Sequence, residues 1–453
     1  MLSEIVKRFA QESPISVMMR GVMESVFRPE RLDDIFERHA KVQYQRELLF
    51  STLVNLLSLV VCGIHPSMNA AYRKKADEMN VTRNAVYEKL NGVEPQVSRA
   101  VLKETAAELS KLMDTMGGKS APLLPGYEIR ILDGNGLAST ERRLKVLREV
   151  ASAPLPGKSL VVLDPERRLA VDIFPCEDGH AQERRLFNQV LSEVQTGEVW
   201  IADRNMCTQG FLVGIAQRDA VFVIREHQNL PYQALSELSF IETVDAGEIF
   251  EQRIELRYDG HRVELRRIVL QLAMPTRHGD TDIVVFTNLP TTVADASTSL
   301  KLYRNRWQVE GLLLTVTMNF EGEIKTLAYP KAALFSFTLA LVAYNILAII
   351  KGALASVHGV ETIEETVSDF YVLDELQGVY RGMMIAIPSE HWQSFQDLSL
   401  VAMAKQLSVL ANQVNLKRFR KQPRKSKKKK NKKPLVHDPK KPHVATARLL
   451  SGQ

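Results

Sequence analysis

Ile129-Arg130-Ile131-Leu132-Asp133-Gly134-Asn135-Gly136 is a short apolar run that stops at an aspartate and then turns. Apolar residues of that length bounded by Gly and Asn read as a strand ending at a turn. Upstream the texture differs. Residues 1–122 read as a helical domain, because 42–57 and 97–113 carry apolar residues at three-and-four spacing without an alternating interruption. Downstream, 160–163 and 169–174 flank Asp164-Pro165-Glu166-Arg167-Arg168, which predicts a hairpin. A helix follows over 181–194. Val199-Trp200-Ile201-Ala202-Asp203 repeats the opening pattern, a strand stopping at an aspartate, and a helix over about 206–218 comes next.

Residues 221–290 then read as strands, at 221–225, 250–258, 262–272 and 282–287, and helices return from about 296. The chain therefore divides into a helical block, a mixed α/β block, a β-rich block, more helices and a basic tail. Two stretches, 48–62 and 332–350, are strongly apolar, and the second is about as long as a membrane span. Both contain interior polar residues (Asn55, Ser58; Ser336, Thr338, Asn345) and lack an aromatic belt, so they read as buried core helices and no membrane is expected as a partner.

The chain of 453 residues is too long for one compact core, and its 25% charged and 45% hydrophobic residues exclude wholesale disorder. Cys62, Cys176 and Cys207 are too few and too scattered for a disulfide framework or a zinc site. They suit a reducing cytoplasm, and Met1-Leu2-Ser3-Glu4-Ile5 carries no signal pattern. The net charge of +6 conceals an asymmetry: residues 417–441 hold 14 Lys and Arg against one acid, Asp438. The run Lys427-Lys428-Lys429-Lys430 cannot fold on itself. It suits sequence-independent contact with nucleic-acid phosphates or simple solubilisation.

Asp133 and Asp203 each end a strand, where α/β sheets keep their ligands. Taken singly, each is also an ordinary turn or N-cap residue. A third element shifts the balance. Residues 301–318 read as one helix on which Tyr303, Glu310 and Thr317 form a line, with Arg306 and Trp307 flanking it. An Arg306–Glu310 surface ion pair would account for two of these residues at little energetic consequence.

Together, Asp133 in Leu-Asp-Gly, Asp203 in Ala-Asp-Arg and the pattern Tyr303-x2-Arg306-Trp307-x2-Glu310 resemble the bacterial insertion-sequence transposases of the DDE type, with a Tyr-Arg-Glu-Lys signature. Phe286-Thr287-Asn288-Leu289 before the helix, and Glu323-Ile324-Lys325-Thr326-Leu327 with Ala343-Tyr344-Asn345 after it, are also similar. The resemblance spans about 60–350. It implies an α/β fold with an RNase H-like mixed-sheet core over 123–220 and 291–365 and a β-rich insertion over 221–290. The helical region over 366–415 and the basic tail over 416–453, expected to be disordered, are read from the residues themselves. The signature's lysine is replaced by Thr317, and no tryptophan precedes the helix; Phe286 is the nearest aromatic.

The resemblance implies Asp133, Asp203 and Glu310 as catalytic metal ligands. Three converging carboxylates repel one another and stay ionised only around cations, and an all-oxygen set favours Mg²⁺ or Mn²⁺. Arg306 and Tyr303 suit phosphate oxygens, and Trp307 is grouped with them as a DNA contact. Residues 74–90 look like a helix-turn-helix, with Asn80 in a left-handed turn and Arg83, Asn84, Tyr87 and Lys89 facing the major groove. The expected activity is cleavage and joining of double-stranded DNA, by a homodimer when two ends are paired, in a bacterial cytoplasm. Two other readings are a catalytically inactive transposase-derived DNA-binding protein and an RNase H-like host nuclease.

Overall fold

The computed structural model describes residues 3–45, 47–276, 279–422 and 443–452. Its strands are β1 (Glu128–Gly136), β2 (Ala153–Leu155), β3 (Lys158–Asp164), β4 (Leu169–Cys176), β5 (Glu198–Ala202), β6 (Val221–Arg225), β7 (Gln233–Ala234), β8 (Ser239–Val244), β9 (Gly247–Tyr258), β10 (His261–Leu272), β11 (Asp282–Thr287) and β12 (His443–Ala445). One mixed sheet runs β4-β3-β1-β5-β6-β11-β10-β9-β7, with β8 also on β9. In it β1 is antiparallel to β3 and parallel to β5, and β5 is parallel to β6.

Alternation explains why this sheet is covered on both faces. Ile129, Ile131, Val199, Ile201, Val223 and Val285 point into one core, while Leu132, Trp200, Ala202, Phe222, Ile224 and Phe286 point into another. The β-rich stretch over 221–290 is attached to this sheet: β6 and β11 continue the two-sided pattern of β5, and the stretch extends the central sheet through β10 and β9.

The first core is filled by helices, chiefly Pro330–His358, of whose most apolar stretch 94% is buried. Its buried Asn345 donates to Ala170 O and accepts from Ala170 N, both at 2.8 Å, so a polar residue locks this helix to β4. The N-terminal helices share this core with the C-terminal ones. Arg20 donates to Tyr380 (2.6 Å), Ser13 donates to Glu375 (2.7 Å), and Gly21 leaves room for the Phe395 ring. Segments 1–122 and 366–415 therefore pack as one body, in place of the two units read from the sequence.

Two further expectations change. The helix expected over 42–57 begins only at Phe50, because Gln45 Oε1 accepts from the Phe50 N–H and Asp33 caps Ser51; Val42 and Tyr44 lie exposed in the preceding loop. The tail expected to be disordered from 416 to 453 is ordered at both ends. Phe419 is buried and Lys421 N donates to Thr366 O. Beyond it, β12 pairs with β2, and Arg448 holds Asp178 at 2.9 Å. Ala445 and Thr446 are fully buried there, which supplies the apolar contact that the lysine-rich composition had obscured.

Candidate active site

The register of the sheet decides the geometry. Leu132 of β1 lies opposite Ala202 of the parallel β5, so Asp133 neighbours Asp203, which directly follows the end of β5. The strand stop and turn expected at Asp133 are not found: β1 continues through Gly134, Asn135 and Gly136, which stay paired with β3. Ala202 in turn lies opposite Ile224 of β6, which sets Arg225 on the far side of Asp203. Adjacent strands stand roughly 4.8 Å apart, so the three residues form one row along the backbone, with the Arg225 guanidinium paired to Asp280 at 3.2 Å.

Glu310 arrives from the helix Trp307–Met318, which packs against β1. Arg306 joins the two elements. Its guanidinium donates to Asp133 Oδ2 at 3.3 Å and to Glu310 Oε1 at 2.7 Å, so the two carboxylates are separated by one guanidinium. Its Nε is buried and unpartnered. Because Arg306 is only 14% exposed, this bridge differs from the surface pair that the i, i+4 spacing alone suggested.

The helix read over 301–318 is two helices. Ala296–Arg304 ends at Asn305, whose side-chain amide donates to Lys301 O, and the chain tightens for a turn before Trp307–Met318 begins. Tyr303 is on the first helix, largely buried, with its phenol raised above the usual range by burial; Arg306 and Arg225 offset this. Thr317 turns its hydroxyl back to Leu313 O, the ordinary fate of a helical threonine, and presents nothing to the strand ends. Trp307 is 64% exposed beside Arg306. Phe286 is fully buried, so the nearest upstream aromatic is unavailable for stacking.

Burial pushes the Asp133 carboxyl up to about 6; Asp203 and Glu310 raise it further, while the Gly134 N–H and Arg306 hold it down. Asp203 Oδ1 caps the following turn by accepting from Asn205 N at 2.8 Å. Among the described residues no three of His, Cys, Asp and Glu stand close enough to grip an ion between them. The expected ligand set is therefore brought to one edge but held apart, with Arg306 standing where a cation would neutralise Asp133 and Glu310. All donors are carboxylate oxygens, the set that suits Mg²⁺ or Mn²⁺.

The 74–90 segment forms the helices Met68–Lys75 and Arg83–Gly92, joined through the tight turn Ala76–Glu78. Asn80 is not left-handed; among the described residues only Arg168, Asp219 and Asp259 and several glycines have positive φ. Thr82 caps the second helix, and Arg83 and Asn84 are exposed beside an open groove of about 500 Å³ shared with Asn69, Tyr72 and Arg73. Lys89 points elsewhere: its ammonium lies 4.7 Å from the Phe36 ring centroid, and burial lowers its pKa. Lys427, Lys428, Lys429 and Lys430 lie outside the described residues.

Two residues near the site were not singled out from the sequence. Arg225 carried a usable signal, since it ends the apolar run of the strand after Asp203. Glu183, against Gly134, had none, because tertiary folding alone brings it there.

Residues 158–346 match the family model described as a transposase DDE domain. Asp203 and Glu310 fall inside that span, and Asp133 precedes it. No curated protein matches the chain. Among solved structures, the chain is loosely similar to the cryo-EM structure of a piggyBac transposase synaptic complex with hairpin DNA. The identity is 11% and the TM-score 0.40, over 84% of this chain and 82% of that one.

Proposed function

We propose that the protein is a DDE-type DNA transposase of the bacterial insertion-sequence kind, cleaving element ends and joining them to target DNA. The match to a transposase DDE domain supports the general class. The single observation that carries the chemistry is the parallel β1–β5 register, in which Asp133 of β1 neighbours Asp203 just past the end of β5, with Glu310 tied to Asp133 through Arg306. The order β4-β3-β1-β5-β6, three antiparallel strands followed by two parallel ones, supports an RNase H-like core.

Asp133, Asp203 and Glu310 would hold Mg²⁺ or Mn²⁺. At about 4 Å and an effective dielectric near 20, each carboxylate pair repels by on the order of 4 kcal/mol, so their approach requires a countercharge. A bound divalent cation supplies Lewis acidity to phosphoryl oxygens and acidifies the attacking water or 3′-hydroxyl. Arg306, released from Glu310, is a fork suited to a phosphate oxygen beside the scissile bond. Tyr303 orients that fork. Arg83 and Asn84 would contact the element end, with Trp307 and the lysines 427–430 adding contacts of lower specificity. Pairing of two ends implies a homodimer, acting in the cytoplasm on nucleoid DNA.

The test is incubation of the full chain with linear DNA carrying the sequences that flank its own gene, in Mg²⁺ or in EDTA. Cleavage at the element ends in Mg²⁺ alone is expected. Cleavage unaffected by EDTA, or Mg²⁺-dependent cleavage blind to the ends, would replace this reading with a host nuclease; end binding without cleavage would indicate a catalytically inactive relative.

A further inference from the structure

Gly134 lies between two carboxylates. Its N–H donates to Asp133 Oδ1 at 2.9 Å, and a methyl group on its Cα would overlap Glu183 Oε1. Backbone conformation does not demand a glycine there. Gly134 is absent from the positive-φ positions and pairs regularly with Leu160 in the β1–β3 ladder. What the missing side chain provides is room for a carboxylate.

Glu183 opens the short turn Glu183–Leu186, which packs on β3 and on the turn Arg204–Met206 that directly follows Asp203. It is half-buried, attracted by Lys158 of β3 and, more weakly, repelled by Asp203. Among the described residues no hydrogen bond holds its carboxylate. A half-buried carboxylate without a hydrogen-bond donor costs stability that the charge of Lys158 offsets only in part, so its placement against β1 beside Asp133 asks for a role beyond folding.

We propose that Glu183 is a positioning residue for the divalent cation of the Asp133–Asp203–Glu310 site, accepting hydrogen bonds from the cation's bound waters on the Gly134 side. The inference rests on the site reading above. Mg²⁺ and similar ions keep several waters when only one or two carboxylates bind them directly. Acceptors that orient such ligands affect metal affinity by roughly 10–100-fold. Glu183 would thus act through water, and Gly134 is glycine so that it can reach.

The experiment is titration of the full chain, without DNA, with Mn²⁺, followed by calorimetry and by the electron paramagnetic resonance signal of free Mn²⁺. Glu183→Gln is expected to weaken binding about tenfold without lowering the melting temperature of the metal-free protein. Gly134→Ala, which displaces Glu183 while keeping its charge, should weaken binding too, and the double variant should be no worse than the single ones. Lys158→Met should leave affinity unchanged or tighten it. Mn²⁺ affinity within twofold of wild type in Glu183→Gln would overturn the proposal. Equal weakening by Lys158→Met and Glu183→Gln would also overturn it, because Glu183 would then serve only to pair with Lys158. Asp133→Asn separates the two levels: if it abolishes Mn²⁺ binding while Glu183→Gln does not, Glu183 alone is misassigned. If it leaves binding intact, the site reading falls as well.

Discussion

Replacing Asp133 or Asp203 by Asn, or Glu310 by Gln, is expected to lower strand cleavage at least ~10³-fold while DNA affinity changes little. Each replacement is nearly isosteric and removes one negative charge from a row in which burial and two neighbouring acids already push Asp133 up to about 6. The metal-free fold should therefore tolerate the change. A 10³-fold loss corresponds to about 4 kcal/mol at the transition state. That is the size of one charge–charge interaction at about 4 Å and an effective dielectric near 20. Cleavage on labelled end DNA and binding by fluorescence anisotropy would be measured in parallel. Residual cleavage within tenfold of wild type in all three variants would remove these residues from the chemistry.

Arg306→Ala should cut cleavage by about 10²–10³-fold, the range for losing one preorganised donor to a developing anion. Arg306→Lys should restore little of it, because an ammonium cannot span two acceptors as the guanidinium spans Asp133 Oδ2 and Glu310 Oε1. A second readout separates substrate handling from scaffolding. Arg306 neutralises the acids where a cation would sit, so Mn²⁺ affinity of Arg306→Ala should equal or exceed that of wild type. If Mn²⁺ binding collapses together with cleavage, Arg306 is holding the carboxylates in place rather than serving the phosphate.

Part of this candidate site could be read from the chain because an apolar run that stops at an acid leaves a local mark. Asp133 and Asp203 each follow such a run, and Glu310 follows Tyr303 and Arg306 at helical spacing. The turn expected after Asp133 is absent, since Gly134, Asn135 and Gly136 prolong β1 against β3. Local pattern does not encode register. Nothing in the sequence says that Leu132 faces Ala202, the pairing that makes the two aspartates neighbours. The break at Asn305 escaped notice for a similar reason: the apolar period continues through it, and only the tightened backbone and the Asn305–Lys301 bond reveal it. Residues 42–49 misled in the opposite direction, since their apolar spacing suits a helix while Gln45 and Asp33 cap one that starts at Phe50. The β-rich stretch was recognised as strands, yet its continuity with the central sheet depends on β11 pairing with β6 across some 60 residues of chain. Glu183 had no sequence signal, because its relation to Gly134 exists only after folding.

Crystals of the protein soaked in Mn²⁺ and measured at the manganese absorption edge test the central claim most directly. The account predicts an anomalous peak among the carboxylate oxygens of Asp133, Asp203 and Glu310, with the Arg306 guanidinium withdrawn from between Asp133 and Glu310. A Mn²⁺ peak at another place on the surface, with Arg306 still bridging those two acids at saturating metal, would contradict it.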